Sequence, residues 1–298
     1  MTNYRLLTPP DEIEEIYPYR RVWWSLALES GILFGAAAVL YIAFSFLSVR
    51  LPEAVLQPLN VLLAVLPAGL WLVFSVWRER SATEPRRRLL FVALITALVA
   101  NAIALPFLDH VLQPDRWLSL ANATNRIIGY TFTVGIIQEV LKYIVVRYLA
   151  WDTEYRVRLD SVAYTLASAI GYSTVLNLSF VLNNVVTPDV AIIQIVNYVT
   201  LNFVGSLIAA YGLAEVRFDN PNPFLLTSMI GLAALLNGAV IPLRSGLVNA
   251  GFSLVGSAPG VVFGLAISIG LLVVVAFVVS FLFNAAERRA REAAAREV

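Results

Sequence analysis

The sequence contains no cysteine, one histidine and one lysine among its 298 residues. Without cysteine there can be no disulfide and no thiolate metal site, although the absence says nothing about the compartment. A single histidine, His110, excludes any site built from several imidazoles. Charge is scarce too: 14% of residues are charged, against roughly 25% in an average soluble domain. The formal net charge of +1 argues against a nucleic-acid partner. What remains is apolar. Hydrophobic residues make up 59% of the chain, gathered into segments of about 20, the length that crosses a bilayer core. The chain therefore reads as an all-α, polytopic integral membrane protein whose first partner is the lipid bilayer.

Eight spans are expected, at roughly 23–48, 56–77, 88–108, 127–150, 161–184, 190–214, 223–243 and 260–284. Arginine placement orients them. Arg5, Arg20 and Arg21 precede the first span; Arg78, Arg80, Arg86, Arg87 and Arg88 fill the second connection. Arg147, Arg156 and Arg158 follow the fourth span, and Arg288, Arg289, Arg291 and Arg296 follow the eighth. The alternate connections carry only scattered cations such as Arg50, Arg116 and Arg244. Positive residues favour the cytoplasmic side, so both termini are expected there. Trp23, Trp24, Trp77, Trp117, Trp151 and Tyr155 fall where amphipathic rings settle at interfaces. The first span continues well past the length of a signal-peptide core and reads as a retained signal anchor. Residues 1–22 form an N-terminal cytoplasmic segment with a short acidic amphipathic stretch, Asp11 to Ile16. Residues 285–298 continue the last span as a solvated helical tail, with Glu287–Arg291 and Glu292–Arg296 at i,i+4 spacing. The Gly- and Ser-rich stretch 245–258 is expected to form an outer loop or re-entrant turn. No internal repeat and no separate soluble domain is evident.

The lone lysine, Lys142, lies inside the fourth span. Gln138, Glu139 and Lys142 share one helix face, because i,i+3 and i,i+4 neighbours align. Ionisable residues at membrane depth are costly and mark functional candidates. The simplest account is a Glu139–Lys142 ion pair between helices, with Lys142 near enough to the cytoplasmic side to snorkel. The fifth span opens at Asp160 and carries Tyr164, Ser168, Gly171, Tyr172, Ser173, Thr174 and Asn177. Later spans add Asn197, Asn202 and Asn237. Such residues let helices approach and hydrogen-bond, so an interior polar seam is expected, extended by Asn101. Glu29 is expected to have a structural role, reaching headgroups or an arginine, and His110 beside Asp109 to be a solvated loop residue. Gly31-x-x-x-Gly35 and Gly256, Gly260 and Gly264 have the spacing of close helix contacts, expected within the protein. Asn122-Ala-Thr124 matches the glycosylation pattern, which is too common to carry weight.

The run Gln138-Glu139-Val140-Leu141-Lys142 resembles the Glu-Glu-x-x-Lys motif of the PrsW family of glutamic-type intramembrane proteases, related to the CAAX prenyl endopeptidase and bacteriocin-processing group. After the intervening loop, Asp160-Ser161-x-x-Tyr164 and Gly171-Tyr172-x-x-x-Leu176-Asn177 keep the register of that family's Asp-Gly-x-x-Tyr and Glu-Asn stretch. The resemblance continues more weakly through Asn202–Gly212 and Leu235-Leu236-Asn237-Gly238. It implies a three-helix region over 23–126, a protease-like five-helix core over 127–284, and a prokaryotic plasma (inner) membrane location. It also implies acids and histidines that activate water for peptide hydrolysis. Here the sequence departs from the pattern. Gln138 stands for the first glutamate, Leu176 for the glutamate before Asn177, Asn237 for the late histidine, and no histidine occurs near Val204.

An amide or a leucine cannot take a proton, and one carboxylate does not make a hydrolytic metal site. The expectation is a protease fold with a dismantled catalytic set, needing no cofactor and no metal. Its candidate remnant site is Gln138, Glu139, Lys142, Asp160, Asn177 and Asn237, serving as a binding or accessory subunit for other membrane proteins or a transmembrane peptide. Two alternatives stay open. One is an active intramembrane peptidase with Glu139 as its catalytic residue; the other is a small-solute transporter working through the polar seam.

Overall fold

The computed structural model describes residues 21–80, 85–218, 222–249 and 259–295 of the protein. Eight helices in it are long and apolar enough to cross a membrane: α1 (Val22–Phe46), α2 (Ala54–Trp77), α3 (Leu89–Leu118), α4 (Ala123–Trp151), α5 (Arg158–Asn183), α6 (Pro188–Phe218), α7 (Phe224–Leu243) and α8 (Gly264–Arg289). No strand occurs among the described residues. The all-α polytopic reading holds, and the spans match those expected from composition except at their ends.

Two of the longer differences have local causes. The third span runs on to Leu118 because π turns at Ala100–Ala104 and Phe107–Leu112 carry it past Pro106. A short helix, Pro114–Leu118, then follows Gln113, whose φ of 45° turns the chain. The fourth span begins at Ala123 because Asn122 caps it, its side chain accepting from the Asn125 amide at 2.8 Å. Asn122 thus has a structural use. Residues 245–249, expected in a loop, continue the helix Pro223–Asn249 across Pro242; residues 250–258 lie outside the described residues. The tail is helical to Ala295. The acidic N-terminal stretch and Arg296 also lie outside.

The bundle is organised around α6. In its membrane-spanning window 89% of residues are buried within the protein, against 22–28% in α1, α2, α7 and α8. The sequence explains this: α6 carries apolar residues on every side, with Asn197, Asn202 and Ser206 interspersed, as suits a helix surrounded by protein. Gly205, Ser206, Ala209, Ala210, Gly212 and Ala214 let its neighbours come close. One apolar cluster runs through the bundle from Val22 on α1 to Phe283 on α8.

The arginine-bearing helix ends gather at one end of the bundle. Arg86 is buried there, its Nε donating to Asp160 Oδ1 at 2.7 Å and its Nη1 lying 3.2 Å from Glu79 Oε2. Arg158 pairs with Glu215 at 2.7 Å and Arg88 with Glu154 at 3.2 Å. Arg147 lies 3.4 Å over the Trp151 ring. Trp24, Trp77 and Trp117 are exposed near helix ends, as interfacial rings should be. Tyr155 is not: it is buried and stacked on Tyr164 with ring centroids 5.9 Å apart. Burial, reinforced by Asp160 and Tyr164, pushes its hydroxyl well above the ordinary tyrosine pKa. At the far end, Ser45 donates to Asp189 at 2.7 Å and Asn60 to the Val186 carbonyl at 2.8 Å, tying α1 and α2 to the α5–α6 turn.

Three further expectations change. Gly31 and Gly35 are exposed, and a Cβ at either would meet nothing within 4 Å, so they make no close helix contact inside this chain. The neighbours that α1 does bury lie on its other face, around Leu26, Leu33 and Ala37. Asn101 is exposed on α3 and does not join the interior seam. Glu29 is buried and accepts from Ser75 of α2 at 2.6 Å instead of reaching an arginine.

Candidate functional site

The site begins with the contact between α4 and α7. One turn before Gln138, α4 opens into a π turn, Thr131–Gly135, a feature frequent at functional sites. A Cβ on Gly135 would collide with the Ala234 carbonyl, and one on Gly238 with the Thr131 backbone. The two helix backbones therefore touch, and only glycine fits at either position. This approach brings Asn237, between Ala234 and Gly238, against the Glu139 carboxylate. Gln138, Glu139 and Lys142 follow in the helix Ile136–Val146, and all three are buried.

Glu139 and Lys142 form an ion pair at 2.8 Å, with side-chain exposures of 1% and 4%. Lys142 does not snorkel. Its ammonium points at α6, donating to Asn202 Oδ1 at 3.1 Å and to the Asn202 carbonyl and Ser206 Oγ at 3.4 Å each. Asn202 is oriented in turn by its Nδ2, which donates to the Tyr198 carbonyl at 2.9 Å. Asn237 Nδ2 donates to the same carboxylate oxygen, Glu139 Oε1, that holds Lys142. That oxygen lies on Gly205, where any Cβ would strike it. The other oxygen, Oε2, is buried without a hydrogen-bond partner. Beside this cluster the Tyr172 hydroxyl of α5 faces the Gln138 amide and makes no hydrogen bond of good geometry.

A cavity of about 800 Å³ opens from the far end of the bundle onto this cluster. Asp109, Asp115 and Arg116 stand at its mouth, and its depths reach Gln138, Asn202 and Asn237. Tyr130 of α4, donating to Asp115 at 2.7 Å, lies along the wall. Gln138, Leu176 and Asn237 all line this one cavity, although they come from three helices.

The six residues expected at the site divide. Gln138, Glu139, Lys142 and Asn237 meet. Asp160 and Asn177 lie elsewhere. Asp160 Oδ2 accepts the amides of Arg156 and Val157 at 2.7 and 2.9 Å at the start of α5, while Oδ1 holds Arg86. It lies twelve residues before Tyr172, about 18 Å along the helix from the residue that faces Gln138. Asn177 Nδ2 reaches the Ala64 carbonyl of α2 at 3.4 Å. Asn197, also in the expected seam, accepts from Ser268 of α8 at 2.9 Å. The sequence reading missed Gly205 and Ser206. Their only signal was position: one and two turns of helix separate Ser206 and its neighbours from Asn202 and Tyr198 on a single face.

These features define a multi-pass helical membrane protein with a buried carboxylate–ammonium pair beneath a polar cavity. The chain belongs to the PrsW family: the family model described as PrsW family intramembrane metalloprotease matches residues 84–288, well over half of its length. No curated protein and no solved structure matches it. The description implies a metal, and the residues present do not fit one. A catalytic zinc takes three protein ligands from His, Cys and carboxylates. Among the described residues no group of three or more such side chains is placed to hold an ion. The one carboxylate at the site is already bound to an ammonium.

Proposed function

We propose that this chain is a non-catalytic or strongly impaired PrsW-family protein, kept in the membrane as a binding or accessory subunit. The carrying observation is that Gln138, Leu176 and Asn237 converge on one cavity. These are the positions where the family resemblance implies a glutamate, a second glutamate and a histidine. Two amides and a leucine cannot activate water, since none can take a proton at neutral pH. The carboxylate that remains, Glu139, is held by Lys142 and Asn237 behind the cavity wall.

The lining also supports a partner class. Apart from its mouth the cavity is uncharged, with amides such as Gln138, Asn197 and Asn237 set among apolar side chains. A peptide group freed from its helix in a membrane needs a partner for every N–H and C=O. An unwound, uncharged stretch of a transmembrane peptide would find one there and be held uncut. The location that goes with this reading is a prokaryotic plasma membrane with both termini cytoplasmic. Because the chain has no cysteine, single cysteines at Arg5 and His110 probed with an impermeant maleimide on intact cells would test the sidedness.

The rival is an active peptidase with Glu139 as its catalytic residue, favoured by the unpartnered Oε2 and by a cavity that reaches Asn237. Reconstituted protein incubated with membrane-embedded peptides decides between them. No cleavage above that of Glu139→Gln is expected. Cleavage that disappears in Glu139→Gln would overturn the reading. A transporter is disfavoured because α6 beyond the pair is closely packed, with Ala209, Ala210, Leu213 and Ala214 all buried.

A further inference from the structure

We infer that Lys142 is the resident cation of this site: the oxygens around it form a binding cage for an ammonium, and no divalent metal enters. Four oxygens surround Nζ between 2.8 and 3.4 Å: Glu139 Oε1, Asn202 Oδ1, the Asn202 carbonyl and Ser206 Oγ. Three of the four are neutral and come from α6. Neutral oxygens at these distances suit a monovalent ammonium, a compact charge with donors on several sides. A zinc ion would need much shorter bonds to thiolate, imidazole or carboxylate ligands, and a manganese ion an octahedral shell of six oxygens, where only four surround this position.

The geometry closes the remaining routes for a divalent ion. Bound to Glu139 Oε1, it would stand against the lysine charge and displace both Lys142 and Asn237. Bound to Oε2, it would lack a three-ligand set, because no group of three or more His, Cys, Asp or Glu side chains is placed to hold an ion among the described residues. Gly205 gives the carboxylate its seat by leaving no side chain in the way, and that seat turns Oε1 toward the ammonium. The inference concerns the site's charge and holds whether or not the chain cleaves peptides.

Two measurements on the full chain in detergent or nanodiscs test it. First, elemental analysis of protein purified without chelator should find less than about 0.1 zinc or manganese per chain. Neither EDTA nor added zinc should shift its unfolding transition. About one metal ion per chain, or an EDTA-sensitive transition restored by zinc, would overturn the inference. Second, Lys142→Ala should unfold more readily than the parent, and methylammonium or ethylammonium should restore at least half of the lost midpoint. Magnesium or zinc should not. Rescue by a divalent ion, or no rescue by either amine in a folded variant, counts against the cage. If Lys142→Ala does not fold, the metal analysis of the parent still decides. A metal-free protein that nonetheless cleaves peptides would refute the non-catalytic reading and leave this one standing.

Discussion

Lys142→Met is the most informative single change, because it separates an ion pair from a set of helix-to-helix hydrogen bonds. Interhelical hydrogen bonds in membranes contribute on average about 0.6 kcal/mol. The donations from Lys142 to Asn202 and Ser206 would therefore account for about 1–2 kcal/mol. The charge pair is a different quantity. At the observed 2.8 Å, two unit charges attract by about 6 kcal/mol with an effective dielectric of about 20. Removing one partner of a buried pair costs about 3–5 kcal/mol, since the other charge stays behind uncompensated. Methionine keeps the length of the side chain and removes the charge, so a loss of about 4 kcal/mol is expected. Glu139→Gln should cost less, about 2 kcal/mol, because the ammonium keeps its α6 oxygens. The double variant Glu139→Gln/Lys142→Met leaves no charge and should lose about 3 kcal/mol, less than Lys142→Met alone, giving a coupling of about 3 kcal/mol in the double-mutant cycle. Equilibrium unfolding in mixed micelles with increasing SDS, followed by far-UV circular dichroism, reads these differences. Additive single losses, or Lys142→Met within about 1 kcal/mol of the parent, would show that the pair does not hold the site together, and the argument from charge would fail.

Other consequences follow from contacts elsewhere in the bundle. Arg86→Ala leaves Asp160 and Glu79 without their shared guanidinium and should cost about 3–5 kcal/mol, measured by the same unfolding assay. Gly135→Ala should force α4 off the Ala234 carbonyl and cost several kcal/mol, whereas Gly31→Ala meets nothing and should change stability by no more than about 0.5 kcal/mol. Equal effects at the two glycines would contradict the packing. Tyr155→Phe removes a buried hydroxyl that has no partner, so stability should rise or hold within about 1 kcal/mol. In an absorbance titration to about pH 11, above the ordinary tyrosine pKa, Tyr155→Phe and the parent should show the same tyrosinate signal, because the buried phenol stays protonated.

Composition and periodicity made the membrane class, the number of spans and the Glu139–Lys142 pair legible, because each depends on chain-local physics. An 18-residue apolar run has few other fates, and i,i+3 neighbours meet whatever surrounds the helix. What was illegible depends on which helix stands opposite. Gly31 and Gly135 look alike in sequence, yet one faces open space and the other a carbonyl. Asp160 had the right register for the family motif, but its oxygens are committed to two amides and Arg86, a partner 74 residues away. Snorkelling was a fair expectation for Lys142 by depth alone. It is overridden because α6 offers two oxygens of Asn202 and one of Ser206 at closer range. The same dependence on neighbours sets how far the departures from the family pattern can be read. Gln138, Leu176 and Asn237 lie up to 99 positions apart in the chain and could have been three unrelated substitutions. The structure sets all three on one cavity. A single lost acid could be compensated by a neighbour, whereas three proton-inert side chains around the same space supply no acid or base of their own, and the group that Glu139 does meet is the Lys142 ammonium.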